Sequence, residues 1–229
     1  MAANQRVRAL WREQFGIDAP RKIICVGLNF RDHANEGGRE APDEPLLFGK
    51  FATTLLDPGE AIVLPPEDAH FDSEAELAVV IGRGGRRIAR EDALAHVAGY
   101  TVANDVSARN LQRKDRQWLR AKGFDTFCPL LPTLVPTNEL GDASGLRIQQ
   151  RLNGETLQDS TTSELIFDVP ALVAHAASVF TLEPGDVILT GTPAGVGVYR
   201  EPPLSMRDGD RVEVEVERIG VVANPVRAE

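Results

Sequence analysis

The stretch Ser73-Glu74-Ala75-Glu76-Leu77-Ala78-Val79-Val80-Ile81-Gly82 decides the fold. It opens with two glutamates and continues as an unbroken apolar run, which is typical of a buried strand. Because side chains alternate along a strand, Glu74 and Glu76 are expected to point to the same face. Two such carboxylates at the mouth of a core repel each other unless a proton or a cation lies between them. The alternative is a solvated acidic edge.

The segments on either side of this strand predict more strands than helices. Asn153-Gly154 is the preferred two-residue turn of a hairpin. Short helices are predicted at Asn29–Glu36, at Arg90–His96 and from Asp168 to Phe180. Further strands are predicted at Lys22–Gly27, Ala61–Leu64, Tyr100–Asp105, Arg147–Leu152, Glu155–Gln158, Asp186–Gly191 and Arg211–Glu217. Since strands and helices do not alternate regularly, the sequence predicts an α+β fold with a mixed or antiparallel sheet.

Composition excludes several classes of protein. The chain has 229 residues, 42% of them hydrophobic, and a formal net charge of −9, which argues against a general nucleic-acid binder. No apolar run approaches the roughly 20 residues of a membrane helix. Cys25 and Cys128 are too few for a disulfide framework and predict buried thiols in a reduced, cytoplasmic protein. Phosphate-binding and serine-hydrolase motifs are missing from the sequence.

Asp105 gives the paired glutamates a possible partner. It ends the predicted strand Tyr100–Asp105. Three carboxylates without a nearby Cys or His suit a hard divalent ion such as Mg²⁺ or Mn²⁺. The residues alone do not bring Asp105 to Glu74 and Glu76, and an aspartate that caps a strand end is the alternative.

Five other residues fit catalysis or ligand binding. His33 and Glu36 are spaced to meet on one helix face, as in a general-base dyad on a lid, or as a plain surface ion pair. Lys122 lies in an apolar stretch, either as a fixed charge for an anion or with its stem buried and its amine in water. Gly191 and Thr192 follow a buried strand, where they form either a ligand-binding turn or an ordinary one.

Five motifs in order resemble the fumarylacetoacetate hydrolase superfamily. The first runs from Cys25 to His33 and the second from Glu74 to Gly82. The others are Asn104-Asp105-Val106-Ser107-Ala108-Arg109, Lys122-Gly123-Phe124-Asp125 and the glycine-rich run Leu189–Gly197. The resemblance extends from about residue 22 to the end. It therefore divides the chain into an N-terminal helical extension, residues 1–21, and a catalytic domain, residues 22–229.

The resemblance implies a mixed β-roll with a few short helices and a Mg²⁺ or Mn²⁺ ion held by Glu74, Glu76 and Asp105. It further implies catalytic roles for His33, Glu36 and Lys122, substrate contacts from Gln112, Gly191 and Thr192, and a homodimer. Residues 1–16 have the apolar spacing of a helix and are expected to pack on the protein or on a partner copy rather than act as a targeting peptide.

Such a site suits 2-oxo acids, whose keto and carboxylate oxygens chelate one metal ion. Hydrolysis of a carbon–carbon bond in an acylpyruvate-like 2,4-dioxo acid is the first expectation, with His33 as the base that activates water. Decarboxylation of an oxaloacetate-type substrate is the second, and hydratase or isomerase chemistry on an aromatic-degradation intermediate is the third. A metal-binding homologue without activity is the remaining alternative.

Overall fold

The computed structural model describes residues 4–229, in which four sheets form the frame. The helices are α1 (Gln5–Phe15), α2 (Arg31–Glu36), α3 (Arg109–Asp115), α4 (Leu119–Lys122), α5 (Thr137–Leu140) and α6 (Val169–Val179). The strands are β1 (Ile23–Gly27), β2 (Leu46–Lys50), β3 (Leu55–Leu56), β4 (Ile62–Leu64), β5 (Phe71–Asp72), β6 (Ala75–Ile81), β7 (Val97–Asn104), β8 (Ser107–Ala108), β9 (Cys128–Pro129), β10 (Val135–Pro136), β11 (Arg147–Leu152), β12 (Glu155–Thr161), β13 (Val187–Leu189), β14 (Arg211–Val216) and β15 (Gly220–Ala228).

The largest sheet has six strands in the order β10-β7-β6-β13-β1-β2. Within it β1 and β13 are parallel and the other pairs antiparallel, so the sheet is mixed. The second sheet has five strands in the order β12-β11-β14-β15-β4, with β4 and β15 parallel. Two two-stranded sheets, β3-β9 and β5-β8, complete the frame. The α+β prediction with a mixed sheet is confirmed.

Strand β6 is buried along its whole length because each face meets a different part of the core. Leu77 and Val79 face the cluster that contains α6, whereas Ala78 and Val80 face the cluster that contains α1. By the same alternation Glu76 lies on the face of Ala78 and Val80. The apolar run of β6 is uninterrupted because both faces of the strand are buried.

Helix α1 is fixed to the frame at both ends. The carboxylate of Asp57 accepts hydrogen bonds from the backbone N–H groups of Arg6 and Val7, at 2.7 and 2.9 Å, and so satisfies donors that a helix start leaves free. Trp11 is buried, and its indole N–H donates to the carbonyl of Gly185 at 2.7 Å. Residues 1–3 of the predicted N-terminal helix lie outside the described residues.

Several local predictions are confirmed with small shifts in their bounds. Asn153 and Gly154 have φ angles of 53° and 84°, as the hairpin turn between β11 and β12 requires. The Asp168 side chain caps α6 by accepting from Ala171 N–H at 2.9 Å. The segment Arg90–His96 is a 3₁₀-helix.

Cys25 and Cys128 are free and buried. Among residues 4–229, the helices are all too short or too polar to cross a membrane.

Candidate active site

Antiparallel pairing of β6 with β7 creates the acidic cluster. Ala75 pairs with Asn104, so the start of one strand lies beside the end of the other. The backbone N–H of Asp105 donates to the carbonyl of Glu74 at 2.9 Å. As a result Glu74, Glu76 and Asp105 are buried together, and each offers a carboxylate oxygen within 4.8 Å of the other two. The residues that the resemblance implied as metal ligands do meet.

Buried cations surround two of the three carboxylates. Lys122 Nζ lies 2.7 Å from Glu74 Oε2 and 2.7 Å from Asp105 Oδ2. Arg109 Nη1 lies 2.7 Å from Glu74 Oε1, and Lys50 Nζ lies 2.7 Å from Asp105 Oδ1. Glu76 receives a hydrogen bond from the backbone N–H of Gly191 at 2.7 Å, and no cation forms an ion pair with it among residues 4–229.

This asymmetry separates the pKa values of the two glutamates. Burial raises the pKa of Glu76 well above its usual value, and the neighbouring charges of Asp105 and Glu74 raise it further. Burial acts in the same direction on Glu74, but Lys122 and Arg109 outweigh it and lower the pKa of Glu74 to about 2. For Lys122, burial by itself would lower the pKa, but Asp105 and Glu74 raise it, so the amine stays charged.

The donor set fits a hard divalent cation. All three candidate ligands are carboxylates, which are the ligands that Mg²⁺ and Mn²⁺ favour. Asp105 Oδ1 is buried and accepts no hydrogen bond, because Lys50 Nζ, although close, lies outside hydrogen-bonding direction. The pKa of Glu76 is raised, and no cation forms an ion pair with it among the described residues, so a bound cation would stabilise its ionised carboxylate the most. Both observations indicate that Glu74, Glu76 and Asp105 would hold such an ion.

His33 and Glu36 form the predicted dyad on α2. His33 Nδ1 lies 3.3 Å from Glu36 Oε2, and the two side chains are only 13% and 21% exposed, which is low for a surface ion pair. Glu36 Oε1 accepts a second hydrogen bond from the N–H of Gly195 at 2.9 Å. Asp32 anchors the start of α2 by accepting from the Ser160 hydroxyl at 2.5 Å. The helix is therefore docked at both ends.

A cavity of about 150 Å³ joins the dyad to the acidic cluster. His33, Glu74, Glu76, Gln112, Lys122 and Thr192 all line it. Thr192 is held by a hydrogen bond from Gln158 Nε2 at 2.8 Å, and Gln112 by one from Arg109 Nη1 at 2.9 Å. Gly191 differs from the sequence expectation, because its N–H is not free for a ligand and holds Glu76 instead.

Sequence reasoning missed three buried polar residues that hold the site together. Asp72 accepts from Arg109 Nε and from the backbone N–H groups of Gly197 and Val198 at 2.9–3.1 Å. Lys50 donates to the carbonyls of Lys122 and Phe127 besides pairing with Asp105. Gln158 accepts from Ala75 N–H and donates to Thr192. Lys50 ends an apolar run, and a charged residue in such a place, as with Lys122, is the signal in the sequence that could have identified it.

The family model for the C-terminal domain of fumarylacetoacetate hydrolase matches residues 22–227 of this chain. The chain belongs to the fumarylacetoacetate hydrolase family. The predicted superfamily is thereby confirmed, and the whole of helix α1 lies outside the matched range. The matched range contains the acidic cluster, Lys122, His33 and Glu36.

Relatives in this family carry several activities in their names. A mitochondrial oxaloacetate tautomerase of Bos taurus, FAHD2A, is 49% identical over 212 residues, which cover 92% of this chain and 68% of that protein. The solved 5-carboxymethyl-2-hydroxymuconate delta-isomerase of Mycobacterium smegmatis is 44% identical, with a TM-score of 0.82 over 92% of this chain and 80% of that chain. A fumarylpyruvate hydrolase of Pseudomonas aeruginosa, solved with Mn²⁺ and pyruvate, is 32% identical, with a TM-score of 0.83 over 92% and 91%.

Proposed function

We propose that the protein interconverts the enol and keto forms of a small 2-oxo acid of the oxaloacetate type. The observation that carries this proposal is His33, which is paired with Glu36 and lines one cavity with Glu74, Glu76 and Lys122. Tautomerisation exchanges a proton on the carbon next to the keto group for one on the keto oxygen. It needs a group that moves the carbon-bound proton, charges that stabilise the enolate between the two transfers, and water that takes up or supplies the oxygen-bound proton. The 49% identity to an oxaloacetate tautomerase supports the same reaction.

The residues of the chain have distinct parts in this reaction. Glu36 accepts the hydrogen of His33 Nδ1 and so keeps the other ring nitrogen, Nε2, available for the proton at carbon 3 of the substrate. The charged amine of Lys122 stabilises the enolate oxygen. Gln112 and Thr192, each held by a neighbouring side chain, orient the substrate. A divalent ion bound by Glu74, Glu76 and Asp105 would supply Lewis-acid stabilisation of the enolate.

The direct test is the loss of the enol form of oxaloacetate, followed by its ultraviolet absorbance with Mg²⁺-loaded protein. We expect acceleration over the metal-only background, loss with a chelator and recovery with Mg²⁺ or Mn²⁺. His33→Gln should lower the rate at least about 100-fold, as loss of a general base does, whereas His175→Gln on α6 should not. Equal rates in both variants would contradict the role of His33.

Hydrolysis of an acylpyruvate-like 2,4-dioxo acid is the second candidate. The similarity to a fumarylpyruvate hydrolase solved with pyruvate favours it. Hydrolysis, unlike tautomerisation or decarboxylation, requires an activated water, which His33 with Glu36 would supply. Product analysis with 2,4-dioxo acids and oxaloacetate separates the cases: a carboxylic acid with pyruvate indicates hydrolysis, carbon dioxide indicates decarboxylation, and exchange of the carbon 3 hydrogen alone indicates tautomerisation.

A further inference from the structure

Two arginines at the mouth of the cavity have no part in the mechanism above. Arg39 and Arg113 line the cavity, are exposed, and form no ion pair within residues 4–229. Arg113 lies one helical turn beyond Arg109 on α3, so the two share a face of that helix. Arg39 follows α2, and its N–H donates to the carbonyl of Ala34 at 2.8 Å. Both are thus attached to elements that carry site residues.

The charge of the buried site indicates what these arginines bind. With all four buried carboxylates ionised, as metal binding requires of the ligands, they leave one negative charge against three buried cations: Asp72, Glu74, Glu76 and Asp105 against Lys50, Arg109 and Lys122. A divalent ion turns this into one positive charge, which the single carboxylate of a 2-oxo acid neutralises. A second carboxylate on the substrate then adds a negative charge that the buried site does not balance, so it needs cations elsewhere. Arginine suits this second carboxylate because the guanidinium binds carboxylates with two hydrogen bonds.

We propose that the site selects dicarboxylic substrates, and that Arg39 and Arg113 bind the carboxylate remote from the keto group. This inference rests on the proposed function, because it takes the keto-acid end of the substrate to lie at the acidic cluster. The apolar side chains of Leu28, Phe48 and Trp118 line the same cavity and offer no charge for that group. A 2-oxo acid with an apolar tail would leave both arginines without a partner.

Binding of two stable four-carbon acids tests the proposal. Malate and 2-hydroxybutanoate share the 2-hydroxy acid end and differ in the second carboxylate. In calorimetric titrations of Mg²⁺-loaded protein, malate should bind at least about tenfold more tightly. The double variant Arg39→Gln/Arg113→Gln should lose this preference and keep its affinity for 2-hydroxybutanoate. Arg83→Gln, a change of an exposed arginine outside the cavity, should keep the preference.

Two results would overturn the proposal: no preference for malate in the unaltered protein, or an unchanged preference in the double variant. Because both arginines are exposed, the substitutions are not expected to affect folding, and a thermal melt checks this. Neither acid is a substrate, so the outcomes separate the two proposals. A preference for malate without enol turnover contradicts the proposed function alone. Enol turnover without that preference contradicts the selection of dicarboxylates alone.

Discussion

Glu76 should release its proton when a divalent ion binds. Its pKa in the metal-free protein is raised well above the usual value by burial and by Asp105 and Glu74, so it keeps its proton at a pH equal to its usual pKa of 4.5. A carboxylate ligand must be ionised, and metal therefore displaces this proton. Glu74, with its pKa lowered to about 2, is already ionised and releases none. Below the raised pKa of Glu76, the apparent metal affinity should rise about tenfold per pH unit.

Calorimetry in buffers of different ionisation enthalpy measures the release directly. We expect up to about one proton per Mg²⁺ near pH 4.5, the usual pKa of a glutamate, and progressively less as pH rises through the raised pKa of Glu76. Glu76→Gln should bind metal more weakly, release no proton and lose the steep pH dependence. His33→Gln, which alters a titratable side chain of the same cavity, should leave the proton count unchanged. Release of no proton by the unaltered protein near pH 4.5 would refute the assignment of a protonated Glu76.

The same shift predicts how pH changes the stability of the metal-free protein. A folded-state pKa above the unfolded value means that the folded state binds more protons in the interval between them. The contribution of Glu76 is thus fully present below its usual pKa of 4.5 and is lost as pH rises through the raised value. Glu76→Gln should remove this loss, as urea unfolding across that interval would measure. Identical pH profiles for the two proteins would contradict the shift.

Three further predictions concern other parts of the molecule. Lys122→Met should lower kcat/KM about 100-fold, or roughly 3 kcal/mol, with metal binding retained; unchanged kinetics would remove Lys122 from the mechanism. Gly27→Ala should displace the Trp118 ring, with which the added Cβ would overlap, and so raise KM and alter tryptophan fluorescence. Gly49→Ala, whose added Cβ would lie 3.5 Å from its nearest neighbouring atom, should change neither. The homodimer stays a prediction, and Phe51, which is 59% exposed beside the edge strand β2, marks the expected contact between the two copies. Phe51→Asp should therefore lower the mass measured by light scattering to that of a monomer. An unchanged mass would contradict this contact.

Sequence reasoning found the residues of the site whose signal is local. Glu74 and Glu76 are separated by two positions on a strand, and His33 and Glu36 by three on a helix, so each pair follows from the geometry of one element. Asp105 joined the glutamates only through the family resemblance. The physical reason is that its place depends on the pairing of Ala75 with Asn104, and strand pairing is not encoded in either strand alone.

The supporting residues were missed because their partners are distant in sequence. Lys50 is 55 positions from Asp105, and Asp72 lies 125 positions before Gly197, which donates to it. The apolar run before Lys50 could mark a buried charge but does not identify its partner, and nothing in the residues around Asp72 indicates its contacts. Gly191 shows the opposite error: its position after a strand predicted a free N–H, but the nearby buried carboxylate of Glu76 occupies it. Buried polar groups find such partners because an unpaired one is costly.

Docking of α2 limits how the lid can work. Asp32 anchors the start of the helix to Ser160, and Glu36 at its end accepts from Gly195. Movement of the whole segment from Asn29 would break both contacts, whereas the loop 37–45 carries neither. Opening is therefore expected to begin in this loop, which includes Arg39. A carboxylate bound by Arg39 would then hold the loop closed over the cavity, so that substrate selection and exclusion of bulk water depend on the same side chain.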